Sequence, residues 1–313
     1  MKKLLLATTL LAATQFAIAA EKVSIMLDWF VNPDHAALIV AQQKGYFKKH
    51  GLEVELIEPA DPSMPPKLVA AGKADMAVNY QPQLHMQVSE GLPLVRVGTL
   101  VSTPLNSLVV LENSGINSLK DLKGKTVGYS VSGFEESLLS AMLNTAGLKS
   151  DDVKWVNVNW SLSPSLLSGK VDAVFGAYRN FELNQMAIEG HKGKAFYPEE
   201  HGIPAYDELV LVVHKDKQKD KRFDALITAL EEATVYTLNH PDEAWKAFES
   251  YKPKELNNEL NRRAWKDTLP RLALRPRALD TNRYEKMSAF LTQHNMVKDM
   301  PKVADYAVEL PIK

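Results

Sequence analysis

Several short stretches carry residue types able to recognise a small molecule. Asp28-Trp29-Phe30-Val31-Asn32-Pro33-Asp34-His35 sets an indole beside acids and an amide, a group that can stack on a flat ring and hydrogen-bond its edge. The same residues also suit an ordinary loop, with Trp29 packed beneath it and Asp28 or Asn32 capping the next helix. In Ser132-Gly133-Phe134-Glu135, Ser132 and Glu135 have the spacing of a capping box. Free amides at such a helix start can also hold an anionic or carbonyl oxygen, although Glu135 would weaken the position for a strongly charged anion. Tyr178 and Glu182 share one face if a helix starts by Arg179. They would then pair an aromatic ring with a carboxylate, which suits a stacked heteroaromatic bearing an amine; charge-assisted bonds of that kind contribute roughly 1.5–3 kcal/mol. The alternative is that Glu182 is only a favourable charge near a helix N-terminus. Asn79-Tyr80-Gln81 and Thr103-Pro104-Leu105-Asn106-Ser107 add Tyr80 and Asn106 as cleft candidates, and both stretches are equally ordinary turn chemistry.

Other chemistries find no support. The eight histidines show no HExxH or paired spacing, so no metal site is expected. Walker A, GxSxG and GxGxxG sequences are absent, no pair of carboxylates stands out as catalytic, and neither a cofactor nor a catalytic residue is expected. With no cysteine among 313 residues, thiolate metal sites, Fe–S clusters and disulfides are excluded. The chain is 45% hydrophobic and 24% charged, ordinary for a globular protein. Its 37 basic and 38 acidic residues give no basic excess that would point to nucleic acid.

These residues need elements to position them. Lys2 and Lys3, an apolar run to Ile18 and the small residues Ala17 and Ala19 read as a signal peptide over residues 1–20, with cleavage before Ala20 or Glu21. The alternative, a membrane anchor, meets a run shorter than the roughly 20 residues a spanning helix needs. Without a cysteine there is no lipoprotein anchor, so an exported, soluble, periplasmic protein is expected. Along the rest of the chain, Lys22–Leu27, Leu52–Glu58 and Ala74–Val78 read as strands around helices at Asp34–Lys49 and Lys67–Ala71. The order recurs with strands Thr126–Tyr129, Lys154–Asn159 and Val171–Ala177 around helices Gly133–Thr145 and Ser163–Leu167. Two α/β lobes follow, with Glu208–Val213 returning the chain to the first and mainly helices beyond Arg222. Ligands gather at the carboxyl ends of parallel strands, and the candidate residues follow Leu27, Val78, Tyr129 and Ala177.

Leu27-Asp28-Trp29-Phe30-x-Asn32-Pro33-x-His35, then Ala41-x-x-Lys44-Gly45-Tyr46-Phe47 and Gly51-Leu52, resemble the opening of the thiamine-pyrimidine precursor family. The likeness continues through Ala71-Gly72-Lys73-Ala74-Asp75-Met76, Leu119-Lys120-Asp121-Leu122-Lys123-Gly124-Lys125 and Asn239-His240-Pro241-x-x-Ala244-Trp245, nearly the whole mature chain. The resemblance implies a periplasmic binding protein of type II, with lobe 1 at 21–106 and 207–313 and lobe 2 at 107–206. One branch of the family contains ABC-transporter receptors for formylaminopyrimidine. The other contains synthases that build hydroxymethylpyrimidine phosphate using a cysteine-rich iron motif and a lysine that forms an imine with pyridoxal phosphate. Here Asn79 stands where that lysine is expected, and no cysteine exists.

The resemblance therefore implies a non-enzymatic receptor for an aminopyrimidine thiamine precursor, serving an ABC permease, with a monomer as the simplest state. It places binding on Asp28, Trp29, Asn32, Tyr178 and Glu182, and further on Ser132, Gly133, Phe134, Tyr80 and Asn106. A sulfonate or taurine receptor is a second reading, left open by Arg179, and the synthase a third.

Overall fold

The computed structural model describes residues 19–311; the expected signal peptide lies almost wholly outside them. Among the described residues no helix is long and apolar enough to cross a membrane.

Ten strands among the described residues form two five-stranded sheets. In chain order they are β1 (Glu21–Met26), β2 (Leu52–Ile57), β3 (Met76–Asn79), β4 (Leu94–Val101), β5 (Asn106–Leu111), β6 (Thr126–Tyr129), β7 (Lys154–Asn157), β8 (Ala173–Tyr178), β9 (Gly193–Phe196) and β10 (Leu209–His214). The first sheet runs β2-β1-β3-β10-β4 and the second β7-β6-β8-β5-β9. In each, the first three strands are parallel, joined by helical crossovers, and the last two are set by antiparallel pairing. The two βαβαβ units expected from the pattern are both present, and β10 lies in the first sheet between β3 and β4.

The central strands read as apolar runs because both their faces are covered. Leu209, Leu211 and Val213 of β10 enter one core, while Val210 and Val212 enter another on the opposite face. Helix Lys221–Asn239 covers part of this sheet so closely that a Cβ at Gly98 of β4 would stand 2.6 Å from Ile227 Cδ1. The single helix expected over Asp34–Lys49 is instead three pieces: a 3-10 turn at Pro33–His35, then helices Ala36–Gln43 and Tyr46–Lys49. Gly45 between the last two adopts φ 75, which ends the first helix and starts the second in a new direction.

The sheets are joined twice, by residues 102–105 and by residues 197–208. One buried carboxyl ties the two connections together. Glu208, fully buried, accepts from the amides of Leu105 (2.5 Å) and Asn106 (2.9 Å). Burial pushes its pKa up to about 7, against the opposing pull of those amides. Replacing Glu208 with Ala strands two buried N–H groups, each costing about 1–3 kcal/mol. Urea unfolding should therefore show a loss of about 2–5 kcal/mol for Glu208→Ala and much less for Glu208→Gln, which keeps an acceptor. Equal, small losses in both would mean that this carboxyl does not hold the crossing.

Candidate functional site

The loop after β1 folds on its own side chains. Asn32 Oδ1 accepts the Asp34 amide at 2.8 Å, and the Asn32 side-chain amide donates to Phe30 O at 3.0 Å. The His35 Nδ1 accepts the Asn32 amide at 3.3 Å, which leaves the ring proton on Nε2, 2.9 Å from Asp28 Oδ1. The other Asp28 oxygen accepts the Tyr80 hydroxyl at 3.0 Å. Asp28 thus fixes the loop and the Tyr80 ring, and Asn32 is both a cap and part of the cleft wall. Tyr80, at the start of helix Gln81–Ser89, stacks on Phe134 from the other half, with centroids 5.4 Å apart and planes 12° from parallel.

The turn after β6 differs from the expected capping box. Helix Phe134–Thr145 begins one residue later, and the Gly133 amide donates to Glu136 Oε2 at 2.7 Å. Glu135 instead turns inward, where its Oε2 accepts the amides of Ser130 (2.7 Å) and Val131 (3.1 Å). Of the amides at the expected helix start, that of Gly133 is therefore taken by Glu136 and not left for a ligand oxygen. Room for the Glu135 carboxyl exists only because residue 176 is glycine: at φ 101 its missing Cβ would sit 2.4 Å from Glu135 Oε1. Burial raises the Glu135 pKa to about 8, opposed by the two amides.

Tyr178 and Glu182 do not share a helix face. Tyr178 is the last residue of β8, and Glu182 is the first of helix Glu182–Ile188. They meet because Glu182 Oε2 accepts the Tyr178 amide at 2.6 Å, while the Tyr178 hydroxyl reaches Glu208 Oε1 at 3.4 Å. Burial also carries Glu182 to about 8.

Together these elements line a narrow cleft between the two halves. Of the ten residues expected at a site, Asp28, Trp29, Asn32, Tyr80, Tyr178 and Glu182 line it. Ser132 and Gly133 do not: both are exposed, and the Ser132 hydroxyl accepts from Asn157 Nδ2 at 3.0 Å. Phe134 lies behind Tyr80, and buried Asn106 lies behind the wall, its Oδ1 accepting the Gly176 amide at 3.0 Å. Ser130, Val131, Glu135, Leu162, Gly176 and Phe181 complete the lining. Most of these adjoin strand ends already singled out, so the rule that sites gather at strand ends could have found them.

The lining holds three carboxyl groups and no Lys, Arg or His. Arg179 points elsewhere, with its guanidinium on Glu199, on the carbonyls of Leu105 and Asn106, and 4.0 Å from the Tyr197 ring centroid. With Asp28 already bonded on both oxygens, Glu135 and Glu182 supply the free polar capacity. A flat ring with N–H donors suits such walls; an anion does not. Among the described residues no group of acids and histidines could hold a metal ion.

The profile of the NMT1/THI5-like family matches residues 32–244. The chain belongs to that family. A Haemophilus influenzae protein named for thiamine biosynthesis is 63% identical over 94% of each chain. The formylaminopyrimidine-binding protein of Halalkalibacterium halodurans is 36% identical over 77% of this chain and 75% of its own. The chain is also similar to a 4-amino-5-hydroxymethyl-2-methylpyrimidine phosphate synthase of Saccharomyces cerevisiae, 27% identical over 94% of this chain and 85% of its own. Among solved structures, the alkanesulfonate-binding protein of Xanthomonas axonopodis pv. citri, bound to MOPS, matches with a TM-score of 0.72 over 92% of this chain and 99% of its own, at 16% identity. The family member described here therefore has the periplasmic-binding-protein fold of two α/β lobes.

The raised carboxyl pKa values have a consequence for stability. Glu135 and Glu182 ionise near their ordinary 4.5 when unfolded but near 8 when folded, so the folded chain binds more protons between those values. Asp34, raised by burial to about 6, acts in the same direction. Their stabilising effect is complete below about pH 4.5 and is lost as the pH rises through about 8. The urea midpoint of the ligand-free protein should fall between about pH 5 and pH 8, and Glu135→Gln should flatten that slope. A midpoint that rises over the same range would contradict this account of the acids.

Proposed function

We propose that this protein is a periplasmic solute receptor of an ABC importer that binds an aminopyrimidine thiamine precursor, formylaminopyrimidine or hydroxymethylpyrimidine, for salvage. One observation carries the reading: a cleft between the lobes lined by Trp29, Tyr80 and Tyr178 together with carboxyl groups, and by no cationic side chain. Trp29 and Tyr178 flank the ring. Glu182 meets its amino edge, where one carboxyl can accept from the exocyclic amine and share a proton with the adjacent ring nitrogen. At neutral pH the buried acid already carries that proton, so neutral acid with neutral base, or carboxylate with pyrimidinium, are one hydrogen-bonded pair.

The similarity to a formylaminopyrimidine-binding protein supports this ligand class. The synthase reading lacks its amine: Asn79 is buried, its side-chain amide donating to Gln87 Oε1 at 2.9 Å and its Oδ1 accepting the Tyr80 amide, so no Schiff base can form there. The sulfonate reading lacks a cation, since Arg179 is spent on Glu199 and the connecting segments. Lobe 1 is taken as 21–106 with 207–313 and lobe 2 as 107–206, hinged near Pro104–Val109 and Pro204–Leu209. Closure about those hinges is the signal the permease reads, and no covalent bond changes.

Calorimetric titration with formylaminopyrimidine tests the assignment. Glu182→Gln should weaken binding about ten-fold or more, since each decade is about 1.4 kcal/mol. Trp29→Ala should weaken it far more than Trp155→Ala; the Trp155 indole donates to Ser150 O, away from the cleft. Unchanged affinity in folded Glu182→Gln would remove the carboxyl from recognition, and equal losses in the two tryptophan variants would make Trp29 a packing residue.

A further inference from the structure

Trp29 lines the cleft from the first lobe, but its outer side is covered from the second. Trp160, in the segment after β7, packs its ring edge against Trp29 with centroids 4.6 Å apart and planes at 61°. Its ring centroid also lies 4.6 Å from that of Phe30, the 47% exposed neighbour of Trp29. Trp160 is not itself part of the cleft lining. A contact between residues carried by opposite lobes exists only while the lobes are together, and moving them apart must break it.

The segment that presents Trp160 is built rather than loose. Asn159 holds φ 52, a left-handed conformation that asparagine tolerates better than most residues. Its amide donates to Asn157 Oδ1 at 2.8 Å, and the Asn157 side chain donates to Ser132 Oγ. The Ser130 hydroxyl donates to the Asn159 carbonyl. The strap is thus tied to the same turn whose Ser130 and Val131 amides hold Glu135 in the cleft. Ser132, expected at the ligand, serves this strap instead.

We propose that Trp160 is a positioning residue: from the second lobe it clamps the Trp29 indole over the bound ring and retards release of the ligand. The inference rests on the reading of the cleft as a site for a flat heteroaromatic, and it adds a residue that touches no ligand atom. The strap links the clamp to Glu135, so ring stacking and the carboxyl wall are set by one turn. Because the contact forms only on closure, Trp160 acts on the closed complex and not on the encounter that precedes it.

The test uses the full mature chain with Trp160→Ala and Trp160→Phe, and formylaminopyrimidine as the probe. Stopped-flow mixing should show dissociation accelerated roughly two- to ten-fold in Trp160→Ala, the range expected for one aromatic contact, with the association rate nearly unchanged. Trp160→Phe should restore most of the slow release, since a smaller ring still meets Trp29. Circular dichroism should show an exciton couplet from the adjacent indoles in the liganded wild type, lost in both variants although Phe rescues release. Unchanged dissociation in a folded Trp160→Ala protein, or a wild type without the couplet, would overturn the clamp. Failure of the wild type to bind the pyrimidine at all would instead refute the proposed function, and the clamp with it.

Discussion

Burying carboxyl groups between two lobes without a single cation among them is the constraint around which this cleft is organised. An ionised carboxylate in such a place is costly unless it is hydrogen-bonded or takes up a proton. Each acid meets that demand locally. Asp28 gives one oxygen to His35 and one to Tyr80. Glu135 takes two backbone amides from the turn before its helix, and Glu182 takes one from the end of β8. The backbone amides on Glu135 and Glu182 carry no charge to neutralise theirs, so burial keeps both largely protonated near neutral pH. A protonated carboxyl can share its proton with a weakly basic ring, and the lining offers an anion no counter-charge.

Much of the surrounding structure answers to those placements. Gly176 leaves space for the Glu135 carboxyl, and Asn106 behind it fixes the Gly176 amide. Glu208, another buried acid, ties the two connections between the sheets and receives the Tyr178 hydroxyl from the cleft. Side chains also bond across the halves beside the cleft: Asn180 donates to Asp34 at 2.6 Å and Tyr80 stacks on Phe134. Residues that line the cleft and residues that bond the two halves therefore overlap at Tyr80.

The alternating units were legible in the sequence because parallel strands and crossover helices leave a strong periodic trace. β6 falls at its expected residues, and β1, β2 and β3 shift by one or two. β4 was not legible. It runs without alternation through Arg96, Gly98 and Thr99, and its arginine is fully buried only because the guanidinium bonds the carbonyls of Pro276, Arg277, Ala278 and Val308 far along the chain. At the site, residue types at strand ends marked most of the cleft. Side-chain direction was not marked: Ser132 and Glu135 have the spacing of a cap, yet Glu136 takes the Gly133 amide and Glu135 turns inward. Whether a carboxylate faces a helix end or a cleft depends on what stands opposite, here a glycine on another strand.

The most direct measurement is a calorimetric titration of the wild-type mature protein, refolded to strip bound ligand, with formylaminopyrimidine, the same ring lacking its 4-amino group, and taurine. The account predicts tight one-to-one binding of the aminopyrimidine, a marked loss for the ring without the amine, and no heat from taurine. Tight binding of taurine, or equal binding of the two pyrimidines, would contradict a cation-free cleft that reads an amino edge with a carboxyl group.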